Sequence, residues 1–517
     1  MPLRLCVTLA VAGVLLASAW AAPSSVSAQG GTATALPLYT PIPLSSPTPG
    51  PSVIPTLPPA SSALQIPYPA IGTPAPNVTA GHVDPNVPAT ITLPQAILIA
   101  AARSPLLASA RADVLIARGN VTLATVPILP NIAVVGSSVR SHRQSGAGGA
   151  GASASATPAP SASSSSFVSS IANDVTSNSL TAELRQLIFD GGRTFAAIKS
   201  ANASENASVA TYQRQLQQVT FNVASAYYNA LLAMRTAAVD NDLVTQNVVQ
   251  ANLVIAQLRA GQASRVDVAT ALLPVSQAQL ALVQQQGTLV STQAALANAM
   301  GLDADTVVRP ADDTANYQAV VASALPIPTY NQAIARANML RPDLQSALDS
   351  LQAAQYTLKS ARAGYLPTVS GSADYGTSST DANGATFRNS WSIGATLNIP
   401  VFDAGQTRGQ VQVAQGNVAK AQAFYDTQRL AVQLDVKQTL AALISARSGL
   451  DATQVEYDQA NTVLRATQAQ YRAGVTTLPL LLNAQVQLSK ALTDEVNAIY
   501  NLRIAEQNFL FAIGQNS

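Results

Sequence analysis

The chain has 517 residues, of which 48% are apolar and 10% charged, and its net charge is +2. With 28 Lys and Arg against 26 Asp and Glu, it has no basic field for phosphate backbones, so we expect no nucleic-acid partner. Two histidines, one cysteine and the lack of a Walker loop, a G-x-S-x-G motif or a His-Glu pair predict a protein that is not an enzyme and has no metal or other cofactor.

Residues 1–28 have the features of a secretory signal peptide. Arg4 precedes an apolar run at 5–16, and small residues at 19–21 and 26–28 offer two cleavage positions. The alternative is an uncleaved N-terminal anchor, for which the apolar run is short. Because Cys6 lies inside this segment, we expect a mature chain without cysteine.

Residues 29–90 are rich in Pro, Ser and Thr, and this composition predicts a disordered linker. Proline at this density cannot donate backbone hydrogen bonds and favours extended polyproline II. A tail that binds a partner is the alternative interpretation.

The rest of the chain is one repeat used twice. Phe-Asp-Gly-Gly at 189–192 returns as Phe-Asp-Ala-Gly at 402–405, 213 positions later, and Arg-Ala-Gly at 259–261 returns at 472–474 with the same offset. Leu-Pro at 129–130 returns at 366–367 with an offset of 237. The 24 additional residues of the first copy fall in a Gly, Ala and Ser tract, which predicts a flexible loop over about 142–170. The body therefore divides into a first repeat (91–302), an inter-repeat linker (303–328) and a second repeat (329–515).

Each repeat predicts the order helix, strand, loop, strand, long helix, turn, helix. The first helices are predicted over 94–125 and 329–363, each ending before a Leu-Pro pair. The strands are predicted over 131–139, 177–189, 368–375 and 390–402. In the last strand, Trp391, Ile393 and Leu397 alternate with small or polar residues, which is typical of a strand with one apolar face. About ten residues is also the length that a tilted strand needs to cross a bilayer.

The long helices are predicted over 194–260 and 406–473, where no proline occurs. The first has 67 residues and would span roughly 100 Å, so these helices are coiled-coil-like or form a tube. Return helices of about half that length follow at 265–300 and 478–513. No stretch after the signal peptide predicts a membrane-spanning helix, and a membrane crossing would require strands closed into a barrel.

This duplicated order, with Phe-Asp-x-Gly closing the second strand and Arg-Ala-Gly at the hairpin tips, resembles the TolC-type outer-membrane efflux proteins over about residues 90–515. The resemblance implies a mainly α-helical fold with a membrane β-barrel. Three chains would form a homotrimer whose twelve-stranded barrel, among outer-membrane lipid, continues into a periplasmic α-helical barrel. The implied protein lies in the outer membrane with a large periplasmic portion. Its implied function is that of a passive exit duct in a tripartite efflux or type I secretion system, joined to an inner-membrane pump by a periplasmic adaptor (membrane fusion protein).

The resemblance also assigns the two hairpin tips to adaptor docking. These tip residues are Arg259, Ala260, Gly261, Arg472, Ala473 and Gly474. Glycine at these positions is also what any helix C-terminus uses, so a capping role and a docking role are both open.

The family closes the periplasmic end with polar links between the two hairpins, and part of this latch matches here. Asp267 and Tyr471 occupy the positions of one Asp–Tyr link, whereas Thr476 stands where the family has an Arg, which implies a weaker or different latch. Asp267 is equally explained as a carboxylate favoured by the dipole at a helix N-terminus. Leu480 and Asn483 stand where the family often has two aspartates, which implies a less charged constriction.

Two functions of other classes stay open at this point. A non-conducting, periplasm-spanning coiled-coil protein or adhesin would also use long helices, but it has no need of alternating strands at matching places in both repeats. An isolated adaptor would need one hairpin and no duplication.

Overall fold

The computed structural model describes residue 88 and residues 90–143, 173–312, 317–381 and 386–515. All of these belong to one compact unit, Gly72–Ser517. The predicted signal peptide lies outside the described residues, as do nearly all of the Pro-rich linker and positions 144–170 of the predicted flexible loop.

The two halves of the described chain contain the same order of major elements. The first half has β1 (Thr90–Ile91), α1 (Leu93–Arg103), α2 (Pro105–Thr125), β2 (Asn131–Arg143), β3 (Asn173–Phe189), α3 (Arg193–Arg259) and α4 (Arg265–Ala299). The second half has β4 (Arg309–Pro310), α5 (Tyr317–Ser323), α6 (Tyr330–Leu340), α7 (Pro342–Arg362), β5 (Thr368–Asp381), β6 (Phe387–Asn398), α8 (Gln406–Arg472) and α9 (Leu478–Ala512).

The prediction of one continuous N-terminal helix in each repeat is wrong. Each helix breaks at the residue before a proline: Ser104 has φ −63° and ψ 121°, and Arg341 has φ −79° and ψ 113°. The proline ring excludes the helical conformation at the preceding residue, so the chain leaves the helix there and restarts it. The helix axes of the first pair differ by 49° across this break.

The strands differ from their predicted bounds at the ends. β2 and β3 continue their pairing to His142↔Asp174 and Arg143↔Asn173, so the first two positions of the predicted loop belong to a strand. β6 ends at Asn398, whereas the prediction ran to 402. Pro400 explains the early end, because proline has no N–H to donate to the ladder.

The four longer strands form one antiparallel sheet in the order β2-β3-β5-β6. Two rows of opposed residues lie on one face of the sheet: Ile132, Leu184, Ala373 and Ile393, then Val134, Ala182, Tyr375 and Trp391. This face is apolar, yet Trp391 is 74% exposed and Ile393 is 78% exposed. Nothing in the described chain covers it.

The opposite face of the same sheet is polar. Its central row consists of Ala133, Glu183, Asp374 and Ser392. Arg185 Nη2 lies 3.0 Å from Glu183 Oε2, and Ser392 Oγ donates to Asp374 Oδ2 at 3.0 Å. The sheet thus separates an uncovered apolar side from a polar side with paired charges.

The two long helices, α3 and α8, have 67 residues each and reach about 100 Å from the sheet. The first part of α3 packs against α2 and α7, as in the Arg118–Glu205 ion pair at 3.0 Å and the Ser200 hydroxyl bond to the Ala353 carbonyl at 2.9 Å. Its second part packs against α4, where Gln285 donates to the carbonyl of Ala233 at 3.2 Å. A shorter helix therefore lies beside each half of the long one.

α4 corrects the expectation that no helix is apolar enough to cross a membrane. By length and composition it qualifies, with an 18-residue window of mean hydropathy 1.4, of which 22% is buried. α1 and α2 together would also qualify, but only as a bent pair. In the fold, α4 runs along α3, and Asn247 of α3 donates to the carbonyl of Pro274 at 3.3 Å.

The end of α9 is held at the break between α6 and α7. Arg341, whose side chain is 3% exposed, donates to the Ala512 carbonyl at 3.2 Å and to Asp435 at 3.1 Å, and its guanidinium lies 2.6 Å from Asp343 Oδ2. Gly514 follows with φ +78°, and a Cβ there would lie 2.7 Å from the Leu340 carbonyl. The far end of the second hairpin is therefore fixed by close backbone contact and by ion pairs of the buried Arg341.

This contact predicts that Gly514→Ala destabilises the fold more than Gly474→Ala. Gly474 has a similar φ of +73° but open space around it. Gly474→Ala should therefore lower the free energy of unfolding by only about 1 kcal/mol, the cost of placing alanine at positive φ. In Gly514→Ala, overlap of the new Cβ with backbone atoms should lower the free energy of unfolding by a further ~1–3 kcal/mol. The thermal midpoint of the helical circular dichroism signal checks this, and equal midpoints for the two variants would contradict it.

Candidate functional site at the two hairpin tips

The α3–α4 and α8–α9 hairpins turn in the same way. At the first tip, the Gln262 N–H donates to the Gln257 carbonyl at 2.8 Å and the Gly261 N–H to the Leu258 carbonyl at 3.0 Å. At the second tip, Val475 donates to Gln470 at 2.9 Å and Gly474 to Tyr471 at 3.0 Å. Both turns are Schellman motifs, with glycine at positive φ.

All six predicted docking residues are exposed: Arg259, Ala260, Gly261, Arg472, Ala473 and Gly474. Val266 and Val475 lie beside them and are also strongly exposed. Each tip therefore presents a basic side chain and an exposed valine. The capping role of both glycines follows from their hydrogen bonds, and it leaves their outer surfaces free for contact.

Asp267 forms the N-terminal cap of α4 with Ser264. The Ser264 N–H and hydroxyl both donate to Asp267 Oδ2 at 2.8 Å, and the Asp267 N–H donates to Ser264 Oγ at 3.1 Å. The backbone hydrogen bond, then the side-chain one, holds the pKa of Asp267 below its ordinary value. This is a capping box, with the carboxylate at the positive end of the helix dipole.

The structure does not join Asp267 to Tyr471 by a hydrogen bond within the described chain. Instead, the Tyr471 hydroxyl donates to Gln257 Oε1 at 3.2 Å. This bond links the end of α8 to the end of α3. A polar link between the hairpins is therefore present, but Tyr471 donates to Gln257 and not to the predicted Asp267. Sequence reasoning missed Gln257, because an amide on a long polar helix carries no signal that distinguishes it from its neighbours.

An apolar cluster joins the hairpins beside this hydrogen bond. Leu478 and Leu482 of α9 are buried against the first hairpin, with Tyr471 packed on the edge of the cluster. The buried residues from α3 and α4 are Ala251, Val254, Ile255, Val268, Ala271 and Val275. The i, i+4 spacing of the two leucines indicates one buried face of α9, and this is the signal by which the cluster could have been found.

Each hairpin contains one buried amide atom without a hydrogen-bond partner among the described residues. Gln250 Nε2 and Gln485 Oε1 are buried and make no hydrogen bond within the described residues. A buried polar atom of this kind lowers the stability of the folded state by about 1–3 kcal/mol. The hairpins therefore combine apolar packing at their tips with two unpaired amide atoms.

The predicted constriction residues lie on the opposite face of α9 from the apolar cluster. Leu480 and Asn483 are both exposed, and Thr476 is half-buried in the turn that precedes α9. Leu480 occupies the place in the second repeat that Asp267 has in the first, 213 positions earlier. The two hairpins thus differ at one equivalent position, a capping carboxylate in one and an exposed leucine in the other.

We expect the contribution of Asp267 to stability to depend on pH. Its pKa is lowered from 3.8, so its contribution is complete above that value and is lost as the pH falls through the lower folded-state value. Asp267→Ala should lower the thermal midpoint at pH 7, and this difference from the parent should shrink below pH 3.8. Thr477→Ala is the matched control, because the Thr477 hydroxyl caps nothing. A difference for Asp267→Ala that does not change with pH would contradict the cap.

Comparisons with known proteins agree with this architecture. A family model described as outer membrane efflux protein matches residues 96–302 and 332–515. Protein CyaE of Bordetella pertussis is 27% identical over 82% of this chain and 84% of its own length, and outer membrane protein TolC of Escherichia coli is 26% identical over 66% and 71%. The crystal structure of the Campylobacter jejuni CmeC outer membrane channel has a TM-score of 0.68 and 17% identity, covering 82% of this chain and 85% of that one. Since the family model covers more than half of the sequence, the chain belongs to the outer membrane efflux protein family, the TolC-type proteins of the outer membrane.

Proposed function

We propose that this protein is the outer-membrane exit duct of a tripartite efflux or type I secretion system. Three copies form a homotrimer that is a passive conduit, and a periplasmic adaptor joins it to an inner-membrane pump. The pump supplies the energy, and the duct itself performs no catalysis. The observation that carries the proposal is a two-faced antiparallel sheet joined directly to helices of about 100 Å.

The sheet supports the membrane part of the proposal. Its apolar face, with Ile393 and Trp391, is suited to outer-membrane lipid, and its polar face, with Glu183 and Arg185, is suited to a water-filled lumen. Four strands are too few to close a barrel, and twelve strands from three copies would be enough.

The helices support the periplasmic part. α3 and α8 extend from the sheet without a break, so three copies would place six long helices around one axis. Because the helices bury mainly their sides, one face of each is left for the lumen and the other for the periplasm.

The hairpin tips support docking to the adaptor. They lie at the ends of α3 and α8 farthest from the sheet, and each exposes an arginine and a valine.

Asp267 and Tyr471 remain gate residues in this proposal, now with Gln257 as the acceptor of the Tyr471 hydroxyl. Leu480 and Asn483 line an uncharged constriction with Thr476 beside it, which would select weakly between cations and anions.

A charge placed on the apolar face of the sheet should block assembly in the membrane. Ile393 lies near the middle of β6. If that face meets lipid, Ile393→Arg should lower the stability of the protein in the membrane by about 2–4 kcal/mol. Ser392→Arg is the matched control, one residue away on the polar face opposite Asp374. The measurement is the amount of each variant in the outer-membrane fraction. Equal amounts of the two would exclude a lipid-facing role for the apolar side.

Cross-linking from the tip tests the partner. In a chain whose single cysteine is removed by Cys6→Ser, Ala473→Cys should capture a periplasmic adaptor when a heterobifunctional thiol reagent is used in cells. Ala442→Cys, exposed on α8 about 45 Å from the tip, should not capture it. Mass spectrometry identifies the captured protein, and the adaptor's companion pump distinguishes drug efflux from protein secretion. Capture of nothing but further copies of this chain would favour a non-conducting structural protein or adhesin.

A further inference from the structure

The two helices that join the middle strands of the sheet carry only basic charges next to it. The last ten residues of α7 and the first ten of α3 contain Lys359, Arg362, Arg193 and Lys199, and they contain no Asp or Glu. The whole chain has 28 basic and 26 acidic residues, so this local excess does not follow from composition. A partner with negative charge is its natural complement.

The nearest carboxylates along α3 are already engaged. Asp190 caps the helix and accepts a hydrogen bond from the Thr194 backbone N–H at 2.6 Å. Glu205, farther from the sheet, pairs with Arg118 at 3.0 Å. The positive charge at this end of α3 and α7 is therefore not balanced by these two acidic groups.

Two of the basic side chains share one aromatic ring. The ammonium nitrogen of Lys199 lies 5.9 Å from the centroid of the Tyr356 ring, and that of Lys359 lies 4.8 Å from it. Neither lysine forms an ion pair with a carboxylate within the described part of the chain. Because a ring face attracts cations without neutralising them, Tyr356 gathers two ammonium groups that are free to bind an anion.

The helices that carry this cluster are fixed to one another at the same level. Ser200, which follows Lys199, donates from its hydroxyl to the Ala353 carbonyl at 2.9 Å. Its oxygen also lies 2.9 Å from Oγ1 of Thr357, which follows Tyr356. The cluster therefore stands on two packed helices and not on a loop, which limits the entropy lost on binding a ligand.

Both lysines lie close to the sheet. Lys199 is six residues after the start of α3, and Lys359 is three residues before the end of α7. Along the helix axes, both are within about 10 Å of the helix ends that lead into the strands. The headgroup layer on each side of a bilayer is about 5–8 Å thick, and a lysine stem carries its ammonium farther. Where the apolar face of the sheet meets lipid, both ammonium groups are within reach of the headgroups.

Phe195 lies between the lysines and the sheet. It precedes Lys199 by four residues, so it is one turn nearer the sheet on the same side of α3, and it is 64% exposed. Exposed aromatic rings are favoured at the boundary between hydrocarbon and headgroups. The order of apolar strand, aromatic ring and lysines thus matches the order of acyl chain, interface and phosphate in a phospholipid.

The second copy of the repeat shows that the fold does not need these charges. The offsets of 213 and 237 assign an uncharged counterpart to each of the four basic residues of α3 and α7. The counterparts of Arg193, Lys199, Lys359 and Arg362 are Gln406, Gln412, Thr122 and Thr125. Since α8 and α2 form the same helices with uncharged residues there, the basic cluster serves a purpose other than helix formation.

We propose that Lys199, Lys359 and Tyr356 form a binding site for the headgroup of an anionic phospholipid. The lipid belongs to the leaflet of the outer membrane that faces the helices. The two ammonium groups donate hydrogen bonds to its phosphate oxygens, and its acyl chains lie along Phe195 and the apolar face of the sheet. This inference rests on the lipid-facing sheet of the proposed function, and it adds a preferred class of lipid. A zwitterionic headgroup has its own ammonium group and is attracted less.

Native mass spectrometry of the purified protein in detergent tests the site, with phosphatidylglycerol as the probe. Lys199→Gln combined with Lys359→Gln should weaken binding about twentyfold, because each lysine near an anionic headgroup accounts for about a fivefold change in affinity. Lys199→Arg combined with Lys359→Arg keeps both charges and should bind like the parent. Phosphatidylethanolamine, which is zwitterionic, should bind the parent more weakly than phosphatidylglycerol.

The matched control removes two lysines from α8. Lys437 lies 5.2 Å from the centroid of the Tyr330 ring, so it has the same kind of aromatic contact. It is about 45 Å from the start of α8, and Lys420 is about 20 Å from it, which places both beyond the headgroup layer. Lys420→Gln combined with Lys437→Gln should therefore bind phosphatidylglycerol like the parent.

Three results would overturn the lipid site. The first is parent-like binding of phosphatidylglycerol by the Lys199 and Lys359 glutamine variant, and the second is an equal loss of binding in the control variant. The third is a parent protein that binds phosphatidylethanolamine equally well, or that releases phosphatidylglycerol to an equal concentration of inorganic phosphate. The amount of parent protein in the outer-membrane fraction tests the proposed function separately. A parent present there stands whatever the lipid result, whereas a parent absent from it would overturn both.

Discussion

The backbone groups at the two edges of the sheet are the constraint on which the rest of this structure depends. β2 pairs only with β3 and β6 only with β5 among the described residues, so two rows of N–H and carbonyl groups stay open. In water such edges invite association, and in lipid each unpaired group costs several kcal/mol. Because the outer face of the same sheet is apolar, the edges must be closed where water is scarce. Among the described residues no further strand pairs with β2 or β6, and in our proposal other copies close these edges.

The helices also have sides without a neighbour, and these lie away from the sheet. Along the first part of α3 the buried apolar residues are small, namely Ala203, Ala207 and Ala210. Near the sheet, where α2 and α8 are mostly exposed, the row of helices leaves the sides of these two helices uncovered. The exposed Val413, Phe424 and Ile116 are therefore the helical equivalent of the open strand edges.

The two repeats differ at their hairpin tips. The first tip has the Ser264–Asp267 capping box, which stabilises the start of α4 locally. At the second tip, Leu478 and Leu482 replace local capping with burial against the other hairpin. Both tips share the seam that includes Tyr471 and Gln257, and the first tip has its capping box in addition. In our proposal, this seam is where the closed end separates.

The sequence by itself determined the duplication, the strand positions, the long helices and the glycine turns, because each of these depends on local periodicity or on a residue with one permitted conformation. The sequence also contained the signal for the helix breaks, Pro105 and Pro342. The apolar pattern continues on both sides of each proline, and it therefore predicted one continuous helix. Only the tertiary structure decided that Tyr471 bonds Gln257 rather than Asp267, that Arg341 anchors the end of α9, and which strands meet across the sheet. The two side-chain contacts and the β3–β5 pairing join residues more than 100 positions apart. No local pattern specifies which of many similar polar side chains will meet when the helices pack.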